Sequence, residues 1–220
     1  MTRLFRPLLS GATASDRLLA CLAAAVGIAA TAFVGGLSSD GVGVLIVAPM
    51  GASAVLVFAV PASPLAQPWP VVGGNIISAL VGIAVAKLLG VGLLGAGVAV
   101  GLAIGAMSIT RCLHPPGGAA ALTAVIGGAK VMAAGWGFAF MPVGINALAL
   151  LATGWAYHRF SRHSYPHRPA PGPTPRFAPE DLDAALAASG EAFDIAREDL
   201  QQLLAAAEEA ADRRRSGKSH

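Results

Sequence analysis

Two proline-broken apolar stretches carry the residues best suited to chemistry. One reads Ala48-Pro49-Met50-Gly51-Ala52-Ser53 and the other His114-Pro115-Pro116-Gly117-Gly118-Ala119. A helix starting just after Pro49 or Pro116 is expected to present unpaired backbone N–H groups and the positive end of its dipole. Gly51, Gly117 and Gly118 leave that backbone uncovered, and Ser53 adds a hydroxyl donor. In a low-dielectric setting such donors suit a small monovalent anion. Arg111, three residues before His114, would draw anions to the mouth of the site. Asn75 and Asn146 offer neutral donors and acceptors from the segments that follow. His114 would shape the site, and its ordinary titration near neutral pH could couple it to protons.

Each of these residues also has a purely structural reading. Proline often only kinks a membrane helix, Arg111 can be an orientation signal, and the two asparagines can be packing contacts. His114 can brace its own turn. Recurrence of the broken stretch in both halves of the chain favours binding. Enzyme chemistry and cofactors are not expected. No acid lies between Asp40 and the C-terminal tail, Ser53 has no evident base partner, and no His/Asp/Glu cluster is spaced for a metal or for proton transfer.

The elements that must hold these residues are membrane segments. The chain is 55% hydrophobic and 12% charged, and its mean hydropathy is +0.66. Between Leu18 and Tyr157 the charged side chains are Asp40, Lys87, Arg111 and Lys130. Burying a charge in hydrocarbon costs a few kcal/mol or more, so long uncharged apolar runs read as spans. Six segments are drawn, at about 18–37, 42–60, 72–89, 91–109, 117–134 and 137–157. The first is too long for a cleaved signal core and reads as a retained anchor. Cys21 and Cys112 fall inside apolar segments and read as buried thiols.

Arg3, Arg6 and Arg17 flank the first segment, and Arg159, Arg162 and Arg168 follow the last. Both termini therefore read as cytoplasmic, with an even number of crossings. Six crossings satisfy this, and so do four crossings plus two re-entrant segments. Lys130 leaves only 13 uncharged residues after Pro116. At 1.5 Å per residue they reach about 20 Å, against a hydrocarbon thickness of about 30 Å. This favours a short or re-entrant element there.

The halves look like copies of one unit. Aligning Pro49 with Pro116 also aligns Gly51 with Gly118, Ala52 with Ala119 and Ala54 with Ala121. Pro70-Val71-Val72-Gly73-Gly74-Asn75 likewise resembles Pro142-Val143-Gly144-Ile145-Asn146. Gly97, Gly101 and Gly105 line one face of the fourth segment and favour close helix packing, within this subunit or against another. After Tyr165 six prolines fall within fourteen residues, which reads as a semi-rigid linker. Pro179-Glu180-Asp181 then opens a helical tail of two short amphipathic helices broken near Gly190. Acids outnumber bases through most of that tail, so nucleic acid is not an expected partner.

The stretch Thr110-Arg111-Cys112-Leu113-His114-Pro115-Pro116-Gly117-Gly118-Ala119 strongly resembles the signature of the HPP family of integral membrane proteins. Ala48-Pro49-Met50-Gly51-Ala52-Ser53-Ala54, Pro68-Trp69-Pro70 and Gly74-Asn75 are similar to the same family, over roughly residues 10–165. The resemblance implies four spans and, through members associated with nitrite movement, a small-anion transporter or channel. Some relatives carry a pair of CBS-type nucleotide-sensing modules after the membrane region; the sequence through His220 shows none, so the resemblance does not imply adenylate regulation.

The expectation is an all-α integral membrane protein. It comprises four full transmembrane helices plus two Pro/Gly-broken segments, arranged as two repeats (about 18–89 and 91–157) in a domain over 18–160. Residues 1–17 form a cytoplasmic N-terminus, 161–178 the linker and 179–215 a cytoplasmic helical tail. The expected place is the inner (plasma) membrane, and the expected partners are a small inorganic anion, with nitrite first, the lipid bilayer, and potentially further copies of the chain. The alternative is a non-transporting scaffold or sensor acting through the tail.

Overall fold

The computed structural model describes residues 13–37 and 47–217. Arg3, Arg6, Asp40 and the head of the 42–60 segment lie outside the described residues. Within them every regular element is helical. Helix α1 (Ala14–Leu37) starts four residues before the expected 18 because its first turn is capped reciprocally. The Asp16 N–H donates to Thr13 Oγ1 (3.2 Å) and the Thr13 N–H to the Asp16 carboxylate (3.0 Å). Helix α2 (Pro49–Ala54) runs into a π turn, Val55–Ala59, and a 3-10 turn follows at Pro64–Ala66. A second π turn, Pro70–Gly74, leads into α3 (Asn75–Leu89). Then come α4 (Leu93–Ile109), α5 (Pro115–Ile126) and α6 (Ala129–Ala134). A third π turn, Phe140–Gly144, opens α7 (Ile145–His158).

Among the described residues, three runs are long and apolar enough to cross a membrane: Ala14–Gly36, Pro70–Leu89 and Ala129–His158. The last is interrupted, because Gly135 has φ +52° and Met141 is extended. Helix α4 has 17 residues, Pro49–Ala59 spans 11 and α5 has 12. At 1.5 Å per residue, α5 reaches about 18 Å. The segment expected at 117–134 is in fact divided, since Gly127 and Gly128 separate α5 from α6.

The two halves share an element order: a long helix, a short proline-started helix, then a π turn feeding another long helix. Packing exchanges partners between them. Helix α1 lies along α7 and α4 lies along α3, so each half's first helix rests on the other half's third. The short helices α2 and α5 meet between them. The tightest crossing is α3 on α5. A Cβ on Gly74 would sit 2.7 Å from the Cys112 carbonyl oxygen, and one on Gly117 would sit 2.7 Å from Ser78 Oγ. A Cβ on Gly82 would overlap the Ala121 carbonyl oxygen. Small residues at four-residue intervals on α3 thus let two backbones touch, the geometry that favours helix association where apolar burial offers no drive. The glycines singled out on α4 do not serve this purpose among the described residues. Gly97, Gly101 and Gly105 are exposed, with nothing within 4 Å of a Cβ at any of them. The inward side of α4 is Gly95, Ala99, Ala103 and Met107. Cys112 is buried, whereas Cys21 lies on the outward face of α1, contrary to the expected buried thiol.

The tail forms α8 (Pro179–Ser189) and α9 (Arg197–Arg215), split where Gly190 takes a left-handed conformation (φ +66°). The Asp181 carboxylate accepts the Ala178 N–H (2.8 Å) at the start of α8. Arg197 clamps Asp183 through Nε (2.7 Å) and holds that carboxyl below its ordinary range. The proline-rich linker lies along α9 in the same direction, with His167 on Asp199 (2.9 Å) and Arg176 paired with Asp212.

Candidate functional site

The break before α5 is set by the end of α4. Helix α4 closes with the Cys112 N–H on the Met107 carbonyl (2.9 Å) and the Arg111 N–H on the Ser108 carbonyl (3.3 Å). That double closure needs a left-handed residue just past the cap, a place glycine usually takes. Here it is Arg111, at φ +55°. The indole of Trp69 donates to the Thr110 carbonyl (3.0 Å), fixing the turn against the π turn that opens α3. His114 is then extended (φ −142°, ψ 107°) ahead of Pro115, as a residue before proline prefers.

Both ring nitrogens of His114 are engaged, and the side chain is fully buried. Nδ1 lies 2.8 Å from the Leu65 carbonyl oxygen. That oxygen can only accept, so Nδ1 carries the proton and Nε2 of the neutral ring is an acceptor. Ser53 Oγ lies 2.8 Å from Nε2 and donates to it. Asn75 Nδ2 donates in turn towards Ser53 Oγ (3.4 Å) and to the Val71 carbonyl (2.8 Å). A relay thus runs from the fully buried Asn75, Ser53 and His114 to the half-buried Leu65 and joins the two proline-started helices. From residue spacing alone Ser53 has no evident base partner; the fold supplies one, 61 residues away.

The sequence-derived residues divide accordingly. Ser53, Asn75 and His114 come together. Pro49, Pro116 and Gly117 are buried around them, Gly118 is half-buried, and Gly51 and Pro115 face outward. Asn146 is fully buried, but neither its Nδ2 nor its Oδ1 has a protein partner, so no hydrogen bond joins it to the relay. Arg111 is exposed at the end of α4 and does not touch the relay's polar atoms. The expectation of free helix-start amides needs correction. The Met50 and Gly51 N–H groups are spent on the Val47 and Ala48 carbonyls, and the Gly117 N–H on His114. Pro115 and Pro116 have none to give. The remaining donors here are side chains. Besides both Asn146 atoms, Asn75 Oδ1 and Ser78 Oγ are buried without a protein partner.

Three participants were not singled out from sequence. Ser78 lies one turn beyond Asn75 and faces Gly117. Leu65 contributes only a carbonyl, which no side-chain pattern reports. His158 reaches back to the Val57 carbonyl through Nε2 (2.8 Å) and to Ser161 through Nδ1 (2.8 Å). Val57 belongs to the π turn that ends the α2 run.

Two transmembrane proteins of Dictyostelium discoideum are similar to this chain, with no activity in their names. One is 38% identical over 131 residues, covering 56% of this chain and 44% of the relative. The other is 38% identical over 128 residues, covering 56% of this chain and 41% of the relative. The chain therefore spans less than half the length of these curated relatives. No solved structure gives a significant match. The family model for the HPP transmembrane region matches residues 10–166, which take in both proline-broken helices and the whole relay. With spans of membrane length and that match over most of its sequence, the chain is a multi-pass integral membrane protein and belongs to the HPP family.

Proposed function

We propose that this protein moves a small inorganic anion across the membrane, with nitrite the first candidate and the Ser53–Asn75–His114 cluster as its binding site. The observation that carries this reading is a set of buried polar atoms in excess of their protein partners, of which Asn75 Oδ1 and Ser78 Oγ belong to side chains beside Ser53 and Gly117. Both amide atoms of Asn146, Asn75 Oδ1 and Ser78 Oγ are unpartnered. A buried polar group left unpaired costs roughly 1–3 kcal/mol, so such a group persists where something else satisfies it for part of a working cycle. Ser78 supplies a further donor, and the acid-free core favours anions over cations.

Histidine chemistry gives the site a way to alternate. With His114 neutral, the Ser53 hydroxyl proton is committed to Nε2. Protonation reverses that bond: Nε2–H donates to Ser53 Oγ, the hydroxyl proton is freed for an anion, and a positive charge is added. Anion entry and proton entry then favour each other. Arg111, exposed beyond α4, supplies long-range attraction.

The test is flux into proteoliposomes, comparing nitrite, nitrate, chloride and formate. Wild type should exceed empty vesicles for at least one of them. Ser53→Ala should lower that flux about tenfold or more, the effect of losing one donor worth ~1.4 kcal/mol. Absence of flux for every anion would sink the proposal. The scaffold or sensor reading draws support from the tail's attachment to the 61–67 loop. Deleting residues 170–220 separates the two: a cellular phenotype lost while flux is intact would favour the sensor.

A further inference from the structure

The tail meets the membrane domain where the Tyr165 ring packs on His158 (centroids 5.3 Å apart) and through one short loop, and that loop holds His114. Neither α8 nor α9 packs extensively against another helix. Apart from that ring contact, attachment runs through point contacts on residues 61–67. Ser63 Oγ donates to Asp194 Oδ1 (2.7 Å), in the connection between α8 and α9. Tyr165 donates its hydroxyl to the Ala66 carbonyl (2.7 Å), and the His167 N–H donates to Gln67 Oε1 (2.8 Å). Gln67 closes the loop on itself, donating to the Pro61 and Ser63 carbonyls (2.9 and 2.8 Å).

The same loop leads inward without a gap. Ser63 Oγ, held by Asp194, accepts the Leu65 N–H (3.1 Å). The Leu65 carbonyl accepts His114 Nδ1–H, and the other ring nitrogen holds Ser53. Two peptide groups and one serine hydroxyl therefore separate an aspartate on the surface tail from the buried imidazole.

We propose that the tail is a latch on the buried site. With Asp194 on Ser63, the loop presents the Leu65 carbonyl to Nδ1, which fixes the tautomer that keeps the Ser53 hydroxyl committed to Nε2. With the tail released, Leu65 is no longer positioned, either ring nitrogen can carry the proton, and Ser53 is freed. The docked state is the closed one, since Ser53, Asn75 and His114 are all fully buried in it. Attachment by a few hydrogen bonds and the Tyr165–His158 ring contact, without extensive helix packing, keeps docked and released states close enough in free energy for a partner of the tail to exchange them. The opening of a conduction site rests on the transport reading above; the coupling of Asp194 to His114 does not.

The experiment uses the full chain in nanodiscs, with histidine labelled by nitrogen-15 and the His114 signals assigned by their loss in His114→Asn. Wild type should show one tautomer, protonated at Nδ1. In Asp194→Ala and Ser63→Ala, trypsin cleavage in the 161–178 linker should rise about tenfold, as loss of one charge-assisted hydrogen bond would give. The His114 signals should move towards an average of two tautomers. Asp194→Asn keeps an acceptor for Ser63 and should stay close to wild type. Faster cleavage with unchanged His114 signals would overturn the latch, and so would alanine variants that alter neither readout. In proteoliposomes the alanine variants should raise anion flux several-fold. A His114 response in protein that passes no anion would leave the latch standing and remove the transport reading.

Discussion

Arg111 holds a backbone conformation that side chains avoid, and it does so at the one place where α4 must stop for His114 to enter the core. Left-handed geometry costs a residue with a Cβ roughly 1–2 kcal/mol. Glycine adopts it without that cost. The charge and the strain can therefore be separated. Arg111→Gly should be more stable than Arg111→Ala by about 1 kcal/mol in chemical unfolding from detergent micelles. Both variants should lose the same share of anion flux if the guanidinium serves only to attract. Equal stability of the two would mean that the turn is not left-handed in the membrane. The adjacent His114 is constrained differently: a carbonyl on one side and a hydroxyl on the other leave its ring no spare polar atom.

Between helices, the contrast lies in which glycines are used. Gly82 meets the α5 backbone and Gly101 meets nothing. Gly82→Ala should destabilise by roughly 1–3 kcal/mol, since the obstacle is a carbonyl oxygen that cannot swing aside. Gly101→Ala should be neutral or slightly stabilising in a monomer, because alanine is the better helix former. The pair can be compared by unfolding midpoint in one detergent; a larger loss at Gly101 would place another helix against that face. Sequence spacing identified a small-residue face on α4 but not the one on α3. Periodicity shows that small residues share a side, and cannot tell whether that side turns to lipid or to protein when both are apolar. The proline start at Pro49, that of α5 to within one residue of Pro116, the brevity of α5 and the break at Gly190 were legible, because each follows from a local rule about proline, charge or glycine. The π turns were not, since they depend on how many residues fit between two packed contacts. Nor were the Ser53–His114 and Ser63–Asp194 bonds, which join residues 61 and 131 positions apart.

Across the whole molecule, the C-terminal tail and the membrane domain meet at Tyr165. Burial raises its phenol above the ordinary value, so the folded form holds the neutral hydroxyl more tightly than the unfolded chain does. A group whose folded value is raised contributes fully below its unfolded value and loses that contribution as pH climbs through the folded one. The Tyr165–Ala66 contact should thus persist up to about pH 10 and weaken above it. Proteolysis of the linker as a function of pH should show an alkaline step that Tyr165→Phe abolishes; a step that survives in Tyr165→Phe would assign the release to another group. The exchange of helix partners between halves acts on a different clock. Helix α1 leaves the ribosome well before the helix it rests on, α7, which follows on the order of a hundred residues later. At about 5–20 residues per second, α1 stands in the bilayer without its mate for roughly 5–20 s. During that interval whatever shields its exposed face, whether the insertion machinery or lipid alone, decides how much of the newly made chain reaches the native arrangement.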